Sequence, residues 1–144
     1  MVPASHFAVA VFTNSDEGGA FCAQVANAAL QQYLGLAQPE AIPLDLPEEK
    51  LLPYVGTYEA AADVCELSIR AGGLVLQLTP KGGFPTPDMP PGETPPPTRL
   101  AFWGEDKIIA LDEPFKGARG EFLRGADGSI AWFRFSSRVH RPMQ

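Results

Sequence analysis

The sequence predicts a mainly β protein: about seven short antiparallel strands in series, preceded by one strand and one amphipathic α-helix. Three observations predict it. Beyond Tyr54 the apolar residues change from helical spacing to strict alternation. Glycine-containing turns then cut the chain at hairpin intervals. Upstream, a nearly unbroken apolar run precedes an alanine-rich stretch with apolar residues at steps of three and four. A series of short hairpins closes into a barrel or folds into a sandwich, because open sheet edges invite association.

Taken in order, "HFAVAVFTNS" (His6 to Ser15) reads as a strand buried on both faces. Asn14, Ser15 and Asp16 offer helix N-cap chemistry, and Gly18 and Gly19 weaken the first turn. The helix that follows carries Cys22, Val25, Ala26, Ala29, Leu30, Tyr33 and Leu34 on one stripe, and Gly35 is its stop. Residues 38–53 read as a proline-containing linker with a short helix in "DLPEEKLL", capped by Asp45 and ended by Pro53. That first turn accounts for the Glu48–Glu49 pair without catalysis.

Residues 54–144 are the β region. Cys65, Leu67 and Ile69 share a parity with Leu74, Leu76 and Leu78 across a turn at Gly72 and Gly73, so these six are expected to face the core. "RLAFWGEDKIIALDE" gives a second hairpin around Gly104 to Asp106. "GEFLRGADGSIAWFRFSSR" gives a third, turning at Asp127 and Gly128. Between the first two lies "PKGGFPTPDMPPGETPPP", which holds eight of the fifteen prolines and is not a paired strand. It reads as an extended loop, with a polyproline II ligand or a lid over the barrel mouth as the functional alternatives.

Composition narrows the function. A net charge of −6 argues against nucleic acid, which requires a cationic face. Arg119, Arg124, Arg134, Arg138 and Arg141 gather late in the chain and read as solvated strand edges rather than an anion site. Cys22 and Cys65 have neither CxxC spacing nor a disulfide framework and read as two small apolar side chains. His6 and His140 lack spaced partners, so no metal site and no cofactor is expected. No apolar run is long enough to span a bilayer, and no secretory signal opens the sequence.

The order strand, helix, proline-containing linker, "LLPYVGTYE" and strand meander resembles the C-terminal region of β-lactamase-related serine hydrolases, the class C β-lactamase, esterase and DD-peptidase-like group. Some of these carry an appended lipocalin-like barrel opened by a Tyr-x-Gly-x-Tyr pattern, here Tyr54, Gly56 and Tyr58. The resemblance implies an up-and-down lipocalin-like barrel of about seven to eight strands. It makes residues 1–37 the last strand and helix of a catalytic domain lying upstream. It leaves the compartment open, with export of a parent protein to the bacterial periplasm or cell surface as one reading.

The family's catalytic motifs do not carry over. None of Ser5, Ser15, Ser68, Ser129, Ser136 and Ser137 has Lys three residues on, and Tyr33, Tyr54 and Tyr58 open no Tyr-x-Asn or Tyr-x-Ser. Lys81-Gly82-Gly83 imitates the third motif but falls after the terminal helix. The expectation is a non-catalytic accessory domain whose partner is the upstream catalytic domain. A homodimer through residues 6–36 is expected where that partner is missing. The alternative is a small-molecule barrel whose ligand meets Tyr58, Phe102, Trp103, Trp132, Phe133 and Phe135.

Overall fold

The computed structural model describes residues 1–14, 18–83, 86–135 and 137–143. It divides into two compact units, Met1–Glu40 and Ala41–Gln144.

Among the described residues the first unit contains one α-helix, α1 (Gly19–Leu34). It ends as the sequence predicts. Gly35 adopts φ 64°, and its N–H and that of Leu36 bond back to the carbonyls of Gln31 and Leu30. Ser15, Asp16 and Glu17, part of the expected N-cap, lie outside the described residues. The strand expected from His6 to Ser15 does not form among the described residues of that stretch, 6–14. Val2 and Phe7 instead make an isolated antiparallel bridge around a short 3-10 turn at Pro3–Ser5. A strand exists only where a second backbone takes up a ladder of its N–H and C=O groups, and the one bridge described here is that of Val2 and Phe7. On the predicted stripe Cys22, Ala26, Ala29, Leu30 and Leu34 are half-buried, while Val25 and Tyr33 are exposed.

The second unit is a closed barrel of eight antiparallel strands in sequence order. They are β1 (Gly56–Glu59), β2 (Asp63–Arg70), β3 (Gly73–Pro80), β4 (Thr98–Gly104), β5 (Lys107–Ala110), β6 (Arg119–Arg124), β7 (Ile130–Phe135) and β8 (Arg138–Pro142). The eighth strand comes from "RVHRP", whose short polar sequence carries little strand signal. It closes the barrel through two residue pairs with β1, Tyr58 with Pro142 and Glu59 with Arg141. The β2–β3 pairing sets Ile69 opposite Leu74, Leu67 opposite Leu76 and Cys65 opposite Leu78, so the six residues of that parity face inward. The turn between them is Ala71–Gly72, one residue earlier than expected. Both have positive φ, 49° and 77°, the pair of angles a two-residue hairpin requires.

The segment expected as a linker belongs, from Ala41 on, to the barrel unit. Leu44 N–H donates to the Phe102 carbonyl at 2.7 Å, and the helix α2 (Glu48–Leu51) buries Leu51 in the core. Pro47, not Asp45, occupies the N-cap position. A 3-10 turn, Leu52–Tyr54, continues α2 through Pro53 and delivers Tyr54 to the barrel end that carries the β4–β5 and β6–β7 turns.

There the Tyr-x-Gly-x-Tyr pattern acquires a physical explanation. The Tyr54 ring lies 4.7 Å from Phe102 and 4.6 Å from Phe122, and its hydroxyl donates to Asp106 Oδ1 at 2.8 Å. Arg124 clasps both Asp106 oxygens, at 2.7 and 2.8 Å. Tyr58 is buried between Phe122 and Phe133, and its hydroxyl donates to the Tyr54 carbonyl at 3.0 Å. Gly56 between them has φ 150°, a conformation that side chains rarely adopt. The motif is a plug that seals one end of the barrel.

Candidate functional site

The bore is filled. Phe122 and Phe133 stack at 4.8 Å, Phe133 and Phe135 at 5.8 Å, and Phe115 meets Phe135 edge-on at 5.6 Å. An eight-stranded barrel has room for such side chains or for one small ligand, and here the side chains take it. Of the six residues expected to meet a ligand, Tyr58, Phe102, Phe133 and Phe135 are thus core residues. Trp103 and Trp132 lie on the outer wall: Arg119 and Lys107 lie 4.8 and 5.3 Å from the Trp103 ring, and Arg141 lies 4.7 Å from Trp132. The structure does not bring the six together.

The late arginines likewise form no single cationic face. Arg124 pairs with Asp106, Arg134 with Glu121 and Arg138 with Asp63, while Arg119 and Arg141 cover the two indoles. Lys81 is held by Glu59 Oε1 at 2.6 Å and by the Ala60 carbonyl at 2.8 Å, far from any hydrolase constellation.

Chemistry concentrates at the barrel end opposite the tyrosine plug. Asp63 opens β2, Cys65 stands two residues on with the same inward parity, and His140 projects from the middle of β8. All three are buried, and their donor atoms lie within 4.8 Å of one another. His140 Nδ1 lies 3.1 Å from the Phe133 carbonyl. A carbonyl only accepts, so Nδ1 carries a proton. The other ring nitrogen, Nε2, faces Asp63 Oδ1 at 2.5 Å and Cys65 Sγ at 3.5 Å. One further proton sits between Nε2 and Oδ1. Arg138 Nη1 donates to the other Asp63 oxygen, Oδ2, at 3.0 Å. Burial, reinforced by the Asp63 charge, pushes the Cys65 thiol up to about 12 and keeps it protonated.

This is not a nucleophilic triad. In a triad the nucleophile and the acid occupy opposite ring nitrogens of the base. Here both face Nε2, and the thiol is fully buried. Beside the cluster is a cleft of about 430 Å³, lined by Asp63, Arg138, Leu78, Pro80, Met89 and Phe115 among others. The proline-rich segment therefore supplies one wall of the barrel mouth. Sequence reasoning left Asp63 unmentioned and His140 unpartnered. The parity of "DVCELSI" carried a signal, since it places Asp63 on the same face as Cys65 and Leu67. The approach of β8 to β2's interior face is set by barrel closure, which no local pattern encodes.

No protein-family model and no curated protein matches the chain. Several solved structures share its fold, two of them as follows. "Crystal structure of SurE with D-Leu" matches with a TM-score of 0.53 and 18% identity over 88% of this chain and 28% of that one. "Crystal structure of SurE" matches with a TM-score of 0.52 and 18% identity over 87% and 27%. The chain thus spans between a quarter and a third of the length of the structures it resembles.

Proposed function

We propose that this chain is a non-catalytic accessory region of a β-lactamase-related serine hydrolase, with a lipocalin-like barrel that shapes substrate access or assembly beside an upstream catalytic domain. The observation that carries the reading is the filled bore. A barrel packed with Tyr58, Phe102, Phe122, Phe133 and Phe135 is a rigid body with nothing to transport or transform inside it. One further feature fits it: the sequence holds no Ser-x-x-Lys.

The N-terminal unit fits the same reading. Val25 and Tyr33 on α1, and Phe12 ahead of it, are exposed apolar side chains. Apolar surface of this kind is covered in a working protein. The upstream catalytic domain is its proposed cover, and in the isolated chain a second copy, paired through residues 6–36, takes its place.

The direct test is the reading frame upstream, where a Ser-x-x-Lys motif is expected; its absence removes the hydrolase. The chain alone is expected to leave nitrocefin and short-chain p-nitrophenyl esters unhydrolysed and its serines unlabelled by a fluorophosphonate. Stoichiometric labelling would show that a nucleophile is present. Light scattering at tens of micromolar is expected to give a dimer, and a monomer would count against association through residues 6–36.

The reading as a free-standing small-molecule barrel has one observation in its favour, the cleft at the mouth with the Arg138 guanidinium on its wall. A co-purifying ligand identified by native mass spectrometry would favour that reading.

A further inference from the structure

We propose that Asp63, Cys65 and His140 form a binding site for a single divalent first-row metal ion of the zinc type at the cleft end of the barrel. The donor set is the first argument. One thiolate, one imidazole and one carboxylate are the ligand types zinc takes, and three protein donors leave a fourth position for water or a small ligand. All three here come from rigid strands, and all three are buried.

The second argument is orientation. A metal-ligating histidine donates its other ring N–H to a carbonyl or carboxylate, which fixes the tautomer. His140 does so through Nδ1 to the Phe133 carbonyl, turning Nε2 toward Cys65 and Asp63. Arg138 holds the outer Asp63 oxygen at 3.0 Å, leaving Oδ1 for the ion.

Distances supply the third argument. With Zn–S near 2.3 Å and Zn–N near 2.0 Å, a tetrahedral site places sulfur and nitrogen roughly 3.5 Å apart. Sγ and Nε2 stand at 3.5 Å. The Nε2–Oδ1 edge, 2.5 Å with a proton in it, must open to about 3.3 Å once an ion replaces that proton. This edge and the Sγ–Oδ1 edge, within 4.8 Å, both involve the Asp63 carboxylate, which lines the cleft.

Metal binding displaces two protons to solvent, one from Sγ and one from the Nε2–Oδ1 hydrogen bond. The ion's own field is what makes a buried thiolate tolerable. Arg138 and Lys81, the cations at the cleft, each keep an acidic partner, Asp63 Oδ2 and Glu59.

The site is independent of the accessory-domain reading, since metal binding is read directly on this chain. Chelator-treated full-length protein is titrated with Co²⁺. The expected result is one equivalent bound, with a thiolate-to-cobalt charge-transfer band in the near ultraviolet that Zn²⁺ abolishes by displacement. Cys65→Ala and His140→Gln are expected to lose the band, and Cys22→Ala, in the other unit, to keep it. Zn²⁺ is expected to raise the thermal midpoint of wild type and not of Cys65→Ala. Should the barrel variants fail to fold, X-ray absorption on the wild-type cobalt form is expected to show one sulfur and one imidazole bound to the ion. A wild-type protein that binds no Co²⁺ at millimolar metal, a band that follows Cys22, or a cobalt ion ligated by oxygen alone would each overturn the proposal.

Discussion

Asp63 has a hydrogen-bonding neighbour on each of its two oxygens, Arg138 and His140, and that division decides what a substitution does. An amide in place of the carboxylate can accept from Arg138 through its oxygen and donate to His140 Nε2 through its nitrogen. Asp63→Asn is therefore expected to lose only the charge assistance, about 1–2 kcal/mol. An apolar side chain would leave a buried imidazole nitrogen without a partner, and Asp63→Leu is expected to cost about 3–5 kcal/mol. Urea unfolding followed by tryptophan fluorescence separates the two, and equal losses would mean that the network contributes nothing as a network. The same scale governs behaviour in base. Burial, with the neighbouring Tyr54 phenol, pushes the Tyr58 hydroxyl up to about 12 from 10.0, and burial pushes Cys65 up to about 12 from 9.0. Both values are higher in the folded state. Each group's contribution is therefore complete below its ordinary value and is lost as pH rises through about 12. The urea midpoint is expected to fall from about pH 9 upward, and Tyr58→Phe to flatten the part above about pH 10. A wild-type midpoint flat across that range would contradict the buried phenol.

At the scale of elements, the β2–β3 hairpin contains a removable cost. Ala71 sits at φ 49°, where its Cβ crowds the backbone. Ala71→Asn creates the Asn-Gly pair that this turn prefers and is expected to raise stability by about 1 kcal/mol in urea. A loss would show that the turn is not of this type. The one-residue difference from the expected turn is instructive. "RAGGL" offers three small residues in a row, so local chemistry does not choose among them. The choice is made by the Ile69–Leu74 pair, which must face inward together. Where alternation was strong, as in β2, β3 and β7, the strands were legible. Where it was weak, as in "RVHRP", the strand exists because closure requires it. The apolar run "FAVAVF" failed in the opposite sense. It has the composition of a strand, but composition supplies no partner. The six aromatic residues divide for a related reason: parity separates Phe102 from Trp103 and Phe133 from Trp132, and only one member of each pair can enter the bore.

For the whole molecule, the boundary at residue 40 matters more than any motif. The second unit contains every strand among the described residues, the tyrosine plug and the Asp63 cluster. Residues 41–144 alone are therefore expected to fold with the strand content of the full chain and a thermal midpoint within a few degrees of it. They are also expected to be monomeric, since the exposed Phe12, Val25 and Tyr33 are gone. Circular dichroism and light scattering check both, and a dimer that survives the deletion would place the interface on the barrel wall. Among the described residues no helix is long and apolar enough to cross a membrane.

The β1–β8 closure has a kinetic consequence. A ring of strands opens where its clasp is weakest, and here the clasp is two residue pairs, one of them contributed by Pro142, which has no N–H to donate. One backbone bond beyond it, Met143 N–H to the Thr57 carbonyl at 2.8 Å, completes the clasp. The β2–β3 contact has eight pairs. Amide protons of β1 and β8 should therefore exchange with deuterium first, through a local unzipping that leaves the rest of the ring protected, and those of β2 and β3 last. His140 rides on the strand that leaves. The Asp63 carboxylate and the Cys65 thiol would then meet solvent in brief openings long before the protein unfolds, and anything that crosslinks β8 to β1 should slow the entry of ions and reagents without touching the core.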